Sequence, residues 1–287
     1  MGGKIIMDQF NSLVSANWLN DSLDHPKLKI IDATWHMPDR KRNAEDEFQE
    51  AHIPNAQFFD IDFNSDPTSP FPHMMPAEVQ FSKNMSDLGL SNEDYIICYD
   101  NSSIYSTYRA WWMFKAFGHK NVAILNGGFD AWKNEDHIVS NGVSKPIRGN
   151  FKAKLSENLI ANIKNIQNEL LDNEANIIDA RSPERFYGEV TEPRPGLRSG
   201  HIPGSINLYY QTLFNTGFLK DDEELKTIFK AKKIDVSKPI ITSCGSGMTA
   251  CILTYALEKV GYKNIKVYDG SWVEWGSDPL LPIKKKN

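Results

Sequence analysis

A cysteine at position 244 is followed at once by Gly245, Ser246 and Gly247, in the stretch "PIITSCGSGMTACILTYALEKVG". The β-branched run before it predicts a buried strand, and the three-to-four spacing of apolar residues after it predicts a helix. A thiol is thus set where a strand hands over to a helix. The first amides of a helix have no partner within it, and the helix N-terminus adds partial positive charge. Gly245 and Gly247 remove side chains that would block those amides, and Ser246 and Thr249 add hydroxyl donors. Such a cradle favours an anion, and Cys244 is placed to be that anion with a lowered pKa. The alternative is a small buried hydrophobe.

A cradled thiolate can attack phosphorus or sulfur. Cysteine phosphatases need an arginine six residues beyond the cysteine to clamp a phosphate dianion, and this chain has Ala250 there. They usually carry histidine before the cysteine, where this chain has Ser243. A catalytic disulfide would need a second thiol close by. Cys251 lies seven residues on, two helical turns deeper, and is expected to pack in the core.

The elements that must position this loop occur twice. "KIIDA", "EAHIPNAQFF", "YIICYD" and "NVAILNGGFDAW" are followed in the second half by "NIIDA", "SGHIPGSINL", "PIITSC" and "NIKVYDGSWVEW". Gly118–Gly127 and Gly261–Gly270 align without a gap. Short β-branched runs alternating with helical patterns predict an α/β fold with a mostly parallel sheet in each half. The counterpart of Cys244 is Asp100 in "CYDNSS", with neither a thiol nor Gly-x-Gly. A purely structural demand would have kept the two loops alike, so the thiol is read as functional. The expected boundaries are 1–137 for the first domain, 138–158 for a polar linker and 159–287 for the second. His52 and His201 recur in both "HIP" turns, and Asp32 and Asp179 in both "IIDA" strands. Because the chemistry happens once, all four are expected to be structural, and the repeated tryptophans to be core.

Composition limits the other classes. The chain has 287 residues, 40% hydrophobic and 24% charged, with a net charge of −5. These values suit a soluble globular protein and argue against nucleic acid or an anionic membrane as partner. No apolar run approaches the roughly 18 residues that span a bilayer. The opening "MGGKIIMDQFNSLVSANW" shows neither a secretory core nor an Arg-rich presequence. Three cysteines make no disulfide framework and no C-x-x-C metal pair. A cytoplasmic location is the expectation, and the tail "LPIKKKN" is expected to be a solvated end.

With "CGSGMTA", the paired HIP turns, "WWMFKAFGH" and "YDGSWVEW" in order, the chain resembles the tandem-domain rhodanese family over nearly its whole length. The resemblance implies two rhodanese-like domains, each a five-stranded sheet flanked by helices, the first catalytically silent. It implies that Cys244 accepts a sulfane sulfur as a persulfide. Members that use thiosulfate typically carry basic residues directly after the cysteine. The neutral Gly245 and Ser246 are instead similar to members that use 3-mercaptopyruvate, pass its sulfur to a thiol or cyanide and release pyruvate. Thiosulfate remains the alternative donor, and a non-enzymatic binding scaffold the alternative role.

By the same resemblance Arg185 and Arg194 bind the substrate carboxylate, which suits planar, permanently charged guanidinium groups. Ser246, His73 and Asp62 match residues that move a proton or polarise the substrate carbonyl. Gly245, Gly247, Met248 and Thr249 line the substrate loop, Met248 being a departure where the family often has valine. Arg181 and Arg198 match less well and are expected to be structural. No metal and no organic cofactor are implied, and thioredoxin is the implied physiological thiol.

Overall fold

The computed structural model describes residues 10–235 and 237–286. The first nine residues, part of the stretch inspected for a targeting signal, and Asn287 of the basic tail lie outside them. Two compact units form, one from residues up to Pro67 together with Met75–Leu155, the other from Thr68–Met74 together with the chain from Ser156 onward.

The first unit is built on five strands, β1 (Leu13–Val14), β2 (Leu28–Asp32), β3 (Ala56–Phe58), β4 (Tyr95–Tyr99) and β5 (Val122–Leu125). They form one parallel sheet in the order β1-β5-β4-β2-β3. The second unit repeats this with β6 (Ile160–Ala161), β7 (Asn176–Asp179) and β8 (Ile206–Asn207). A small antiparallel pair follows, β9 (Phe214–Asn215) with β10 (Phe218–Leu219), then β11 (Ile240–Ser243) and β12 (Ile265–Tyr268). The second large sheet runs β6-β12-β11-β7-β8, the same permutation, again parallel.

Parallel strands covered on both faces lose the alternation of apolar and polar residues. Accordingly Ile96–Tyr99 and all four residues of β11 are buried. The helices Thr107–Ala116 and Ala250–Lys259, each following its central strand, are almost wholly buried. Trp132 fills the core of one unit, and Trp272 and Trp275 that of the other.

The repeated histidines behave alike. His52 Nδ1 lies 2.7 Å from the Phe48 carbonyl and His201 Nδ1 2.8 Å from that of Phe186, each ring stacked on the same phenylalanine. Each turn also forms a two-way backbone bridge, His52 to Ser140 and His201 to Lys284.

The segment expected as a linker is packed against the first unit over much of its length. Besides the Ser140 bridge, Gly142 N donates to Gln49 O and Gly149 N to Ser86 O, both at 2.8 Å. Phe151 is buried among Phe81, Phe114 and His119. Its polarity lets it lie on a surface while its backbone finds partners there. The "KKK" tail is exposed as expected, but it is not loose. Its backbone is held by Lys284 pairing with His201 and by Lys286 N donating to Tyr187 O at 2.9 Å. Among the described residues no helix is long and apolar enough to cross a membrane.

Candidate active site

β11 delivers Cys244 to the end of the second sheet, where it is 1% exposed. Cys244 N donates to Ser271 Oγ at 3.2 Å, and its carbonyl accepts from Trp272 N at 3.0 Å. The Gly245 carbonyl accepts from Val273 N at 2.8 Å. Both carbonyls therefore face the Ser271–Ser277 helix. In a trans peptide the N–H points opposite to the C=O, so the amides of Gly245 and Ser246 are turned away from that helix, across the loop.

The two glycines answer different demands. Gly247 has φ +77°, the left-handed region where an L side chain is strained. Gly245 meets a neighbour instead, since a Cβ there would sit 3.1 Å from Arg185 Nη2. Arg185 is thus laid directly against the cysteine loop. Met248 is buried, and Thr249 is the N-cap residue of the Ala250–Lys259 helix. Cys251 is buried with its Sγ donating to the Gly247 carbonyl at 3.2 Å. Its thiol proton thus helps hold the loop from below.

Behind the loop runs a chain of alternating charge. Arg181 donates to Asp179 Oδ2 at 2.7 Å and to Glu192 Oε1 at 3.0 Å, and its guanidinium lies 4.3 Å from the centre of the Trp272 ring. Glu192 in turn accepts from Arg185 at 3.2 Å and 2.5 Å. The Glu192 and Arg181 side chains are each 1% exposed, that of Arg185 26%. Burial alone would pull the pKa of Arg181 down. The charge of Asp179 and its hydrogen bonds, then Glu192 and Cys244, outweigh it and hold the pKa above the ordinary value. Arg181, expected to be structural, is therefore part of a buried ion network behind the cysteine loop.

Glu192 was not singled out from the sequence. "RFYGEVTEPR" contains Glu189 and Glu192, and no local pattern says which turns inward. Arg185 donates to Glu192 through Nε and Nη2, and neither bond uses its Nη1. Arg194 lies half-buried nine residues on in the same Pro/Gly-rich loop. Arg198 is a backbone clamp, donating to the carbonyls of Gly276, Leu281, Trp275 and Asp278.

His73 belongs to the Thr68–Met74 piece that joins the second unit. It is buried, with φ +63°, and its Nδ1 lies 3.0 Å from Ser246 Oγ and 3.3 Å from the Ser246 carbonyl. A neutral ring can accept from the hydroxyl, or in its other tautomer donate to either oxygen. Asp62 belongs to the first unit, where it is exposed and accepts from Trp35 Nε1 at 2.8 Å. The second unit thus brings together Cys244, Gly245, Ser246, Gly247, Met248, Thr249, Arg185 and His73.

The first unit has Asp100 at the corresponding position. The Asp100 carbonyl accepts from Phe129 N at 2.9 Å, as that of Cys244 does from Trp272. Its carboxylate accepts from Ser102 Oγ at 2.8 Å and Ser106 Oγ at 3.1 Å. Burial pushes Asp100 up to about 7, against the pull of those two serines, and Asp32 up to about 6, against that of Thr34. A carboxyl in this setting cannot carry sulfur.

Comparison with known proteins agrees with this doubling. The rhodanese-like domain matches residues 15–135 and again 163–278. The mouse protein named 3-mercaptopyruvate sulfurtransferase is 44% identical over 273 residues, 93% of this chain and 92% of its own. The Arabidopsis thaliana protein named thiosulfate/3-mercaptopyruvate sulfurtransferase 1, mitochondrial, is 41% identical over 294 residues, 95% of this chain and 78% of its own. Among solved structures, SseA from Escherichia coli, described as a 3-mercaptopyruvate sulfurtransferase with the rhodanese fold, superposes with a TM-score of 0.85 at 40% identity. It covers 91% of this chain and 99% of its own.

Proposed function

The chain belongs to the rhodanese-like family, and from that premise we propose that it transfers the sulfur of 3-mercaptopyruvate through a persulfide on Cys244 to a thiol or cyanide, releasing pyruvate. The observation that carries this reading is the seat of Arg185. Its guanidinium lies against Gly245, the residue after the buried Cys244, in a loop whose own side chains are uncharged. A monoanion held by its carboxylate suits that arrangement better than a compact dianion aimed at the loop itself.

In the first half-reaction the Cys244 thiolate attacks the substrate sulfur. The C–S bond breaks, its electron pair becomes the enolate of pyruvate, and Cys244 is left as a persulfide. Arg185 and Arg194 hold the carboxylate through charge-assisted hydrogen bonds. Ser246 and His73, 3.0 Å apart, deliver the proton that turns enolate into pyruvate. Asp62 is assigned to the same proton movement. In the second half-reaction the acceptor thiolate or cyanide attacks the outer sulfur, and the electrons of the S–S bond return to Cys244. Thioredoxin is the proposed physiological thiol and the cytoplasm the proposed location.

The test is the mass of the intact protein after incubation with 3-mercaptopyruvate. One added sulfur on the Cys244 peptide, removed by cyanide, is the expected result; an unmodified Cys244 peptide while pyruvate is still released overturns it. Thiosulfate is the second reading, because the Arabidopsis relative carries both donors in its name. Comparing kcat/KM for the two donors under one condition decides between them.

A further inference from the structure

The second unit carries a hollow of about 450 Å³ in which Lys232, Lys284, Lys285 and Lys286 meet the rings of Tyr187 and His201. None of Cys244, Gly245, Ser246, Arg185, Arg194 or His73 lines it, and neither does any Asp or Glu. Four ammonium groups around one concavity are unexpected in a chain of net charge −5. We propose that this hollow binds a small ligand carrying several phosphate groups, a nucleoside polyphosphate or a free polyphosphate.

Three observations support it. First, the lysines are placed by the fold. Lys284 is pinned by its two-way bridge to His201, and Lys286 N is bonded to Tyr187 O. The Lys285 stem crosses Gly188 and Gly200, where added Cβ atoms would lie 3.1 Å and 3.2 Å from its Cγ. Lysines whose roots are fixed lose less freedom on meeting a ligand than those of a loose tail.

Second, their charge is largely uncompensated. Lys286 pairs with Glu189 at 2.8 Å and lies 5.7 Å from the Tyr187 ring centre. Among the described residues Lys232, Lys284 and Lys285 have no carboxylate partner. A concave wall of one sign concentrates the field on whatever enters, and ammonium groups are point-charge partners for phosphate.

Third, size and wall suit a nucleotide. A volume of about 450 Å³ lies within the roughly 300–1,000 Å³ of small-molecule sites. Tyr187 is 38% exposed and offers a flat face on which a base can stack.

The experiment is calorimetric titration of the whole purified protein with inorganic tripolyphosphate and, separately, with ATP, both without magnesium. Ionic strength is held at about 0.15 M so that diffuse attraction is screened. Saturable one-to-one binding is expected. Lys232→Gln, Lys284→Gln and Lys285→Gln combined should weaken it at least about tenfold, with sulfur transfer unchanged. Lys83→Gln, Lys133→Gln and Lys226→Gln combined match that loss of charge elsewhere and should leave it intact. Tyr187→Ala distinguishes the sources: a loss for ATP alone identifies a nucleotide, no loss for either a free polyphosphate. No binding of either probe, an equal loss in both triple variants, or binding of a long RNA without binding of either probe overturns the proposal.

Discussion

Alanine at position 245 isolates the contact between the cysteine loop and its arginine. Gly245 is not among the glycines with positive φ, so alanine adds bulk without backbone strain. Its Cβ would lie 3.1 Å from Arg185 Nη2, whereas relaxed contacts between heavy atoms are about 3.5–4.0 Å. The guanidinium must retreat by several tenths of an ångström. It is not free to do so, because Glu192 holds it at 3.2 Å and 2.5 Å. A charge-assisted hydrogen bond is worth about 1.5–3 kcal/mol; weakening one by half costs about 1 kcal/mol, close to fivefold in kcat/KM for 3-mercaptopyruvate. Discharge of a preformed persulfide by cyanide, measured in a single turnover after pyruvate has left, should keep its rate. Combined with Arg185→Ala the same alanine should cost almost nothing, giving a coupling energy of about 1 kcal/mol in the double-mutant cycle. An undiminished loss in the Arg185→Ala background, or no loss in the wild type, would refute the contact as the reason for the glycine.

Other expectations follow from the same geometry. Glu192→Gln removes the one carboxylate that Arg181 and Arg185 share, leaving Asp179 to Arg181 alone, and should destabilise the protein by about 3–5 kcal/mol in urea unfolding, more than Arg185→Ala, whose side chain is partly exposed; equal or smaller losses would remove Glu192 from the centre of the network. Cys244→Ser should abolish turnover because an alcohol cannot carry sulfane sulfur, while folded Cys251→Ser should retain it; loss of activity in the latter would point to a resolving thiol. Ser246→Ala should lower turnover of 3-mercaptopyruvate and spare thiosulfate, which leaves no enolate to protonate, with Asp62→Asn behaving alike if it shares that role; equal losses with both donors reduce Ser246 to shaping the loop. Asp100 is held at about 7, above its ordinary 3.8, so the folded state binds its proton more tightly than the unfolded chain and stability falls as pH rises from about 4 through 7. Asp100→Asn removes that fall, and its melting temperature relative to wild type should improve from pH 5 to pH 8; parallel curves would show that Asp100 does not titrate in this range.

Local pattern was enough for the central strands and the helices after them, and for singling out Cys244 as the candidate reactive group, though not for the small antiparallel pair β9–β10. "YIICY" and "PIITS" read as central strands, because short β-branched runs without apolar–polar alternation suit strands buried on both faces. The repeat set the two loops apart by placing Cys244 in one against Asp100 in the other. Gly-x-Gly between strand and helix announced a loop that side chains would obstruct, but the left-handed φ of Gly247 came only with the structure. Tertiary structure decided what those residues touch. The seat of Arg185 against Gly245 joins positions 60 residues apart, and that of His73 against Ser246 joins positions 173 apart; no local spacing encodes either. The choice of Glu192 over Glu189 as the buried partner depended on which carboxylate could be satisfied inside by two guanidinium groups. The polar stretch after residue 137 and the lysine tail read as solvent-facing because composition reports only that a segment tolerates water. Whether its backbone also finds a surface to bond depends on edges presented by distant parts of the chain, and here Ser140 found His52 and Lys284 found His201.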